Sequence, residues 1–335
     1  MVELRDIEAA ADRLRDIVVR TPLISSHALD EIAGGTVLLK AECLQRTGSF
    51  KIRGAYNLLS QLSPEQASRG VVAFSSGNHA QGVAAAGSML GIETTIVMPE
   101  DAPPAKIENT RRLGGTTVLY DRHSGDREAI AREIAAERDC EVVPSFDHED
   151  IITGQGTVGL EIMQQCDELG VSPDQVLINC SGGGLSAGCA VAIRSLSADT
   201  SVHTVEPAGF DDTARSLLAG RREQNETPAT SICDALQVET PGKITFAINK
   251  EILSAGLVVT DKEVREAMRF GFQHLKLVIE PGGAAALAAV LSERIATRDK
   301  VTVVVLSGGN VDVKLFASIQ SEQLTGIWLE RPSQS

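Results

Sequence analysis

The chain has 335 residues, of which 43% are hydrophobic and 23% charged, which is typical of a globular protein with one or two domains. Its net charge of −14 argues against nucleic acids and anionic membranes as partners, because both require basic surfaces. Aromatic residues make up only 3%, so the core must consist mainly of Ala, Val, Leu and Ile.

The chain start and the cysteines predict a cytoplasmic protein. The N-terminal stretch MVELRDIEAAADRLRD alternates acids and bases and lacks the apolar segment of a signal peptide. No apolar run approaches the roughly 20 residues that a membrane span needs. The six cysteines show no CxxC pair and no spacing typical of disulfides or zinc sites.

Short runs rich in Val, Ile and Thr alternate with helical patterns along the chain. An amphipathic helix is predicted from Leu4 to Ile17, a second around Ile130, and a third from the capping box Thr260–Glu263 through His274. This alternation predicts an α/β fold with two open, twisted, mostly parallel sheets and a cleft between them. The predicted strands are 36–41, 70–75, 94–99, 116–121, 175–180, 201–206, 256–260 and 301–307.

The loop TGSFKIRGA (47–55) presents one lysine in an uncharged setting before a predicted helix. Lys51 follows Phe50 and precedes Arg53, and both an apolar wall and a nearby cation disfavour the ammonium form and activate the amine. The alternative is a lysine at a helix start with an exposed tip.

Two further loops place polar groups at the ends of predicted strands. In SSGNHAQG (75–82), Ser75, Ser76, Asn78 and His79 precede a helix whose first N–H groups can bind a carboxylate. In VLSGGNVD (305–312), Ser307 is a neutral hydroxyl followed by two glycines. A capped helix start and a simple turn are the alternatives.

The loop CSGGGLSAG (180–188) lies between a strand and a helix, and its three glycines let the backbone enclose a phosphate. Gly182, Gly184 and Ala187 also fit the dinucleotide-binding pattern, with Glu206 at the position of the ribose-binding acid. An NAD-dependent oxidoreductase is therefore the alternative interpretation, although it gives no role to TGSFKIRGA.

Taken in order, these four loops, together with GQGTVGLEI (154–162) and EPGGAA (280–285), resemble the fold-type II pyridoxal-phosphate enzymes. This is the family of threonine and serine dehydratases, serine racemase and hydroxyaspartate dehydratase. The resemblance covers about residues 20 to 315. It implies a large domain of residues 1–60 and 148–322, a small inserted domain of residues 61–147, a tail of residues 323–335 and a homodimer.

The resemblance also implies roles for individual residues. Lys51 would form the Schiff base with pyridoxal 5′-phosphate, Phe50 would lie against the ring, Asn78 would contact the ring hydroxyl, and Ser307 would bond to the pyridine nitrogen. The substrate carboxylate is assigned to Ser75, Ser76, Gly77, Asn78 and His79. The phosphate is assigned to Gly182, Gly183, Gly184 and Leu185.

The implied reaction is β-elimination from threonine, serine or 3-hydroxyaspartate, giving a 2-oxo acid and ammonia. Lys51 would act as general base at Cα. The neutral Ser307 disfavours a long-lived carbanion and so favours elimination over transamination. Ser76 matches the second proton carrier of the racemase, so amino-acid racemisation is an alternative activity; otherwise Ser76 only binds the carboxylate.

Two further matches to the racemase-like members refine the substrate and the cofactors. Arg127 would pair with a second substrate carboxylate and favour 3-hydroxyaspartate, unless it is a solvated helix residue. Glu206, Phe210 and Asp212 match a divalent-cation site, with oxygen ligands suited to Mg²⁺ or Ca²⁺, and Mn²⁺ as another candidate. An acidic helix start is the alternative interpretation of this last segment.

Overall fold

The computed structural model describes residues 2–122, 124–226 and 228–322, which form an α/β fold with two sheets. The larger sheet has the strand order β1-β2-β10-β7-β8-β9, in which β1 is antiparallel to β2 and all other neighbours are parallel. Its strands are β1 Leu23–Ser25, β2 Thr36–Lys40, β7 Gln175–Asn179, β8 Ser201–Pro207, β9 Ala255–Val259 and β10 Val301–Val305.

The smaller sheet is entirely parallel, with the order β5-β4-β3-β6. Its strands are β3 Val71–Phe74, β4 Thr94–Pro99, β5 Thr116–Tyr120 and β6 Glu141–Val142. All eight predicted strands are present, and the predicted fold class is confirmed. Strands β1 and β6 were not predicted, because they have only three and two residues and therefore show no periodic pattern.

Helices connect the parallel strands, as the crossover geometry of such sheets requires. The predicted capping box is present, since Thr260 Oγ1 accepts a hydrogen bond from the Glu263 N–H at 3.3 Å. The α-helix that follows ends at Phe270, and a π-helical turn, Gly271–Leu275, comes directly after it. The prediction was a single helix through His274. The α-helices are α1 Leu4–Leu14, α2 His27–Ala33, α3 Lys51–Leu59, α4 Pro64–Arg69, α5 Asn78–Leu90, α6 Pro104–Arg112, α7 Arg127–Arg138, α8 Glu149–Glu168, α9 Gly184–Leu196, α10 Asp212–Ala219, α11 Lys243–Ile252, α12 Asp261–Phe270, α13 Pro281–Leu291 and α14 Val313–Ser321.

Small side chains allow helix α13, which packs on the larger sheet, to be completely buried. Every residue of α13, PGGAAALAAVL, is buried. The helix packs against strands β7, β8, β9 and β10, and its Ala and Gly positions allow close approach of the two layers. In the described residues, no helix combines the length and apolar character that a membrane crossing requires.

The four strands of the smaller sheet all lie between residues 71 and 142. This range falls inside the predicted inserted domain, whose boundaries at 61 and 147 remain a prediction. The predicted tail, 323–335, lies outside the described residues.

Candidate active site

A cavity of about 540 Å³ opens between the two sheets, where the C-terminal ends of β3, β7 and β10 meet. This is the edge at which open parallel sheets bind their ligands. The lining includes every predicted catalytic, cofactor-binding and substrate-binding residue, namely Phe50, Lys51, Ser75, Ser76, Gly77, Asn78, His79, Arg127, Gly182, Gly183, Gly184, Leu185 and Ser307. Loops that are far apart in the sequence therefore form a single site.

Lys51 is the first residue of α3 and points into this cavity. Its Nζ donates a hydrogen bond of 2.8 Å to the carbonyl oxygen of Ser145 and lies 5.2 Å from the ring centroid of Phe50. Burial lowers the pKa of Lys51 to about 8, and the nearby carboxyl of Glu280 opposes this shift. The amine is therefore much more readily neutral than an ordinary lysine, as a nucleophile or base requires.

The prediction that the charge of Arg53 helps to lower the pKa of Lys51 was wrong. The guanidinium of Arg53 is fully buried and is bound by Glu42 at 2.8 Å and Glu161 at 2.7 Å. Glu161 also binds Lys40, so two cations and two carboxylates form a closed network beneath α3. Because these charges compensate one another, the lowered pKa of Lys51 results from its own burial.

The glycine loop forms the N-terminus of α9, where helical N–H groups lack intrahelical acceptors. Gly183 has φ +94°, a conformation that a side chain would strain, and a Cβ at Gly182 would overlap the ring of Phe146. From α11, Thr245 Oγ1 donates a hydrogen bond of 2.6 Å to the Gly182 carbonyl and holds the loop in place. These backbone N–H groups and the helix dipole could bind a phosphate.

Ser307 lies on the cavity wall after β10. Its Oγ accepts a hydrogen bond of 3.0 Å from Asn179 Nδ2, which also donates to the Val305 carbonyl at 2.9 Å. Since the serine oxygen is already an acceptor, its own hydrogen is available to a ring nitrogen in the cavity. Asn179 was not predicted as a site residue; its position as the last residue of β7 was the available signal.

The SSGNHAQG loop leads into α5 and contributes the hydroxyls of Ser75 and Ser76 and a neutral imidazole to the cavity. Ser75 Oγ accepts the Gly77 N–H at 3.2 Å, and His79 Nε2 lies 3.0 Å from the Val143 carbonyl oxygen. Burial, followed by the charge of Lys51, lowers the pKa of His79 to about 3. His79 is therefore neutral and anchors the segment that carries Ser145.

Several charged residues of the cavity wall had no predicted role, among them Glu280, Lys106 and Asp234. Glu280 accepts a hydrogen bond of 2.6 Å from Asn78 Nδ2, and burial, together with the charge of Asp234, raises its pKa to about 7. Lys106 Nζ lies 2.7 Å from Asp234 Oδ2 and joins α6 to the 3₁₀ turn Asp234–Leu236. The stretch EPGGAA was noted in the sequence, but tertiary packing alone brings Glu280 to the cavity.

Arg127 begins α7, and its guanidinium carbon lies 5.7 Å from the ring centroid of Phe74 at the rim of the cavity. Among the described residues, no carboxylate forms an ion pair with it. This cation is thus available to a negatively charged ligand.

The predicted cation ligands lie outside the cavity lining. Glu206 is buried and accepts hydrogen bonds from the N–H groups of Thr213 at 3.1 Å and Ala214 at 2.8 Å. Asp212 Oδ1 accepts a hydrogen bond from Asn225, whereas Asp212 Oδ2 is buried and has no hydrogen-bond partner among the described residues. Burial and the neighbouring Asp212 raise the pKa of Glu206, and burial raises that of Asp212 to about 6.

Two buried carboxylates with one unpartnered oxygen fit a hard divalent cation, which would favour their charged forms. Phe210, the third predicted ligand, lies two residues before Asp212, between β8 and α10. Across the described ranges, no group of three or more His, Cys, Asp or Glu side chains is arranged to hold a metal ion. Any cation here would need backbone oxygens or water as further ligands.

Comparison with known proteins agrees with this geometry. Residues 14–308 match the family model described as pyridoxal-phosphate dependent enzyme. The chain is 43% identical to L-threo-3-hydroxyaspartate ammonia-lyase of Pseudomonas sp., covering 94% of this chain and 97% of the relative. It is 36% identical to serine racemase of Schizosaccharomyces pombe, covering 95% and 97%. The crystal structure of a threonine deaminase from T.th. superposes with a TM-score of 0.87 at 42% identity, covering 93% and 99%.

The chain belongs to the family of pyridoxal-phosphate-dependent enzymes. The predicted fold type II and the predicted class, a pyridoxal-phosphate-dependent ammonia-lyase, are confirmed by these relatives. The alternative of an NAD-dependent oxidoreductase is set aside, since its proposed ribose-binding acid, Glu206, is bound to the start of α10 and does not line the cavity. The cavity fits the cofactor, because a lysine amine, a glycine-lined helix start and a serine hydroxyl converge in it.

Proposed function

We propose that this enzyme is an ammonia-lyase that converts 3-hydroxyaspartate to a 2-oxo acid and ammonia. The observation that carries this proposal is the position of Arg127, a guanidinium at the rim of the cavity that contains Lys51 and without an ion-pair partner in the part of the chain that the structure describes. A substrate with a second carboxylate can pair with that cation, whereas serine and threonine cannot. The high identity to an L-threo-3-hydroxyaspartate ammonia-lyase supports the same substrate.

We assign the cofactor to Lys51, Phe50, Asn78, Ser307 and, for its phosphate, the turn Gly182–Leu185. Bound there, pyridoxal phosphate supplies an electron-withdrawing ring that weakens the bonds at the substrate's Cα. Ser307 offers a neutral hydroxyl to the ring nitrogen and leaves that nitrogen without a carboxylate partner. A neutral partner there would make the ring a weaker electron sink than a carboxylate partner would, which favours elimination over transamination.

Lys51 is the group that moves a proton. With a pKa lowered to about 8, its amine is neutral in a substantial fraction of molecules near neutral pH and can accept the proton from Cα. The SSGNHAQG loop binds the α-carboxylate through Ser75, Ser76 and the N–H groups at the start of α5. Arg127 holds the distal carboxylate, and the two contacts together fix Cα relative to Lys51.

A racemase activity is the second candidate, because the hydroxyl of Ser76 also lines the cavity and a serine racemase is among the relatives. In this case Ser76 would return a proton to the face opposite Lys51. The Ser76→Ala variant distinguishes the two activities: racemisation should disappear while 2-oxo acid formation from 3-hydroxyaspartate persists.

Three further assignments belong to this proposal. Glu206, Asp212 and the carbonyl of Phe210 hold a divalent cation, Mg²⁺, Ca²⁺ or Mn²⁺. The inserted domain spans residues 61–147 and closes over the substrate. The enzyme is a cytoplasmic homodimer, supported by six free cysteines and by apolar side chains that the single chain leaves exposed, among them Leu218 and Val313. Light scattering on the purified chain tests the dimer.

The direct test of the substrate is 2-oxo acid formation from the stereoisomers of 3-hydroxyaspartate, serine and threonine. We expect kcat/KM to be highest for a stereoisomer of 3-hydroxyaspartate. A higher kcat/KM for threonine or serine would refute this substrate assignment and leave the cofactor chemistry unaffected.

A further inference from the structure

Glu280 is a buried carboxyl group of the cavity wall that the proposed reaction does not yet use. It precedes α13, is only 4% exposed, and its Oε1 accepts a hydrogen bond of 2.6 Å from Asn78 Nδ2. Only one hydrogen of the Asn78 amide nitrogen takes part in this bond, so the other is available to a ligand.

A second contact fixes the opposite end of the Asn78 side chain. Asn310 Nδ2 donates to Asn78 Oδ1 at 2.7 Å and to the Thr47 carbonyl oxygen at 2.8 Å. The Asn78 amide is thus held at its oxygen by Asn310 and at its nitrogen by Glu280. This arrangement leaves a single orientation for the hydrogen that faces the cavity.

Glycine packing between two sequence motifs allows Glu280 to reach Asn78. A Cβ at Gly308 would overlap Glu280 Oε1 and would lie 3.1 Å from Asn78 Nδ2. A Cβ at Gly283 would overlap the carbonyl oxygen of Gly308. The glycines of EPGG and SGGN therefore leave space for the bond between Glu280 and Asn78.

Glu280 and Lys51 line the same cavity, and the charge of the carboxylate acts on the lysine. The carboxylate raises the pKa of Lys51 and so opposes the larger effect of burial. Burial, followed by the charge of Asp234, raises the pKa of Glu280 itself, and the hydrogen bond from Asn78 and the charges of Lys106 and Lys51 oppose this increase. Asn78 on α5 bonds directly to the carboxyl, and the titratable groups coupled to it by charge are Lys51 on α3, Lys106 on α6, Asp234 in the 3₁₀ turn, and the buried thiols of Cys43 and Cys233.

We propose that Glu280 is a positioning residue of the reaction: its carboxyl orients the Asn78 amide towards the cofactor and, when ionised, places a negative charge in the cavity that contains Lys51. The charge strengthens Lys51 as a base, because it stabilises the ammonium that forms when the lysine has accepted a proton. The oriented amide holds the edge of the cofactor. This inference rests on the proposed role of Lys51 but not on the identity of the substrate.

The orienting role is tested by cofactor affinity, measured by titrating the full-length, cofactor-stripped chain with pyridoxal phosphate. Glu280→Gln keeps an acceptor for Asn78 and should bind the cofactor with wild-type affinity. Glu280→Ala and Asn310→Ala each release one end of the amide and should weaken binding about 5-fold, the effect of one lost hydrogen bond. If Glu280→Ala does not fold, Asn310→Ala and Glu280→Gln still decide the question. Wild-type affinity in Asn310→Ala would overturn the orienting role.

The charge effect is tested in the same cofactor-stripped protein by the pH dependence of Lys51 acetylation with acetic anhydride, quantified by peptide mass spectrometry. Glu280→Gln should move the midpoint for Lys51 down by about half a unit or more, because a stabilising negative charge is lost. Asn310→Ala should leave it in place. The control is Glu266→Gln, which removes a buried carboxyl on α12 outside the cavity lining.

An unchanged midpoint in Glu280→Gln, or an equal shift in Glu266→Gln, would overturn the electrostatic role. Neither measurement uses a substrate. Both therefore remain valid if the enzyme prefers a substrate other than 3-hydroxyaspartate.

Discussion

The side-chain amine of Lys51 donates a hydrogen bond of 2.8 Å to the backbone carbonyl oxygen of Ser145. Ser145 follows the smaller sheet, whereas Lys51 begins a helix that follows a strand of the larger sheet. The contact therefore spans the cleft and holds the lysine inside the cavity. It also keeps the amine beside the loops that fit the cofactor.

Removal of Arg127 tests the selection of the substrate. We expect Arg127→Ala to lower kcat/KM for 3-hydroxyaspartate by about 10- to 100-fold, the effect of a lost charged hydrogen-bond pair, and to change serine turnover little. The control is Arg132→Ala on the same helix, where the arginine is exposed and pairs with Glu128 at 3.4 Å. Equal losses for serine and 3-hydroxyaspartate in Arg127→Ala would contradict a distal-carboxylate site.

Substitution of Gly183 tests the phosphate site. An alanine at φ +94° would be strained, and its Cβ would lie 2.8 Å from Asn249 Nδ2. We expect Gly183→Ala to weaken pyridoxal-phosphate binding by about 10-fold or more. The strained backbone costs on the order of 1–3 kcal/mol, and relief of that strain would move the N–H groups of the turn away from the phosphate. Absorbance titration gives the affinity.

Gly220→Ala is the matched control for this experiment. Gly220 also has a positive φ, +68°, but a Cβ there meets open space, and the residue lies outside the cavity lining. The control should lose stability and keep the affinity for the cofactor. If it lost affinity to the same extent, general backbone strain would explain both variants.

Addition of Mg²⁺ or Ca²⁺ tests the cation site. A cation bound only by the folded protein, present at about 100 times its dissociation constant, stabilises by roughly 2.7 kcal/mol, which should raise the Tm by several degrees. Asp212→Asn should abolish this rise, because Asp212 supplies the unpartnered oxygen. The neighbouring Asp211→Asn, which only loses the contact of Asp211 with Arg215 at 3.5 Å, should retain it. If neither ion changes the Tm of the wild-type protein, the cation site does not exist.

His79 predicts a specific pH dependence of stability. Its pKa is lowered from 6.5 to about 3 in the folded protein, so the unfolded chain binds more protons between these values. The contribution of His79 to stability is therefore complete above pH 6.5 and is lost as the pH falls, by up to about 1.4 kcal/mol per unit. Urea unfolding between pH 7 and 5 should show a shallower pH dependence in His79→Gln. The exposed His27→Gln control should follow the wild type, and an unchanged slope in His79→Gln would disprove a buried neutral imidazole.

The sequence predicted the sheets and the cavity-lining loops because both are encoded locally. Long β-branched runs such as VTVVV reveal buried strands, and glycine-rich turns such as SGGGL reveal a helix start that approaches a ligand. Strand β6, with only two residues, gives no pattern of its own and forms because β3 provides a partner.

The parts of the site that could not be predicted depend on contacts between distant residues. Glu280 and Asn78 are 202 positions apart, and nothing in EPGGAA alone indicates that its carboxyl reaches the loop after β3. The pairing of Lys106 with Asp234 likewise depends on how the two sheets face each other. Arg53 was misassigned for the same reason, since its partner Glu161 lies 108 residues away.

The central claim, that Lys51 carries the cofactor, is tested most directly by borohydride reduction of the purified yellow protein, followed by peptide mass spectrometry. Lys106 also lines the cavity, but its Nζ is held in an ion pair with Asp234 Oδ2 at 2.7 Å. We expect the reduced cofactor on the peptide that contains Lys51, and a colourless Lys51→Ala protein. Attachment to Lys106, or to no lysine at all, would contradict the account.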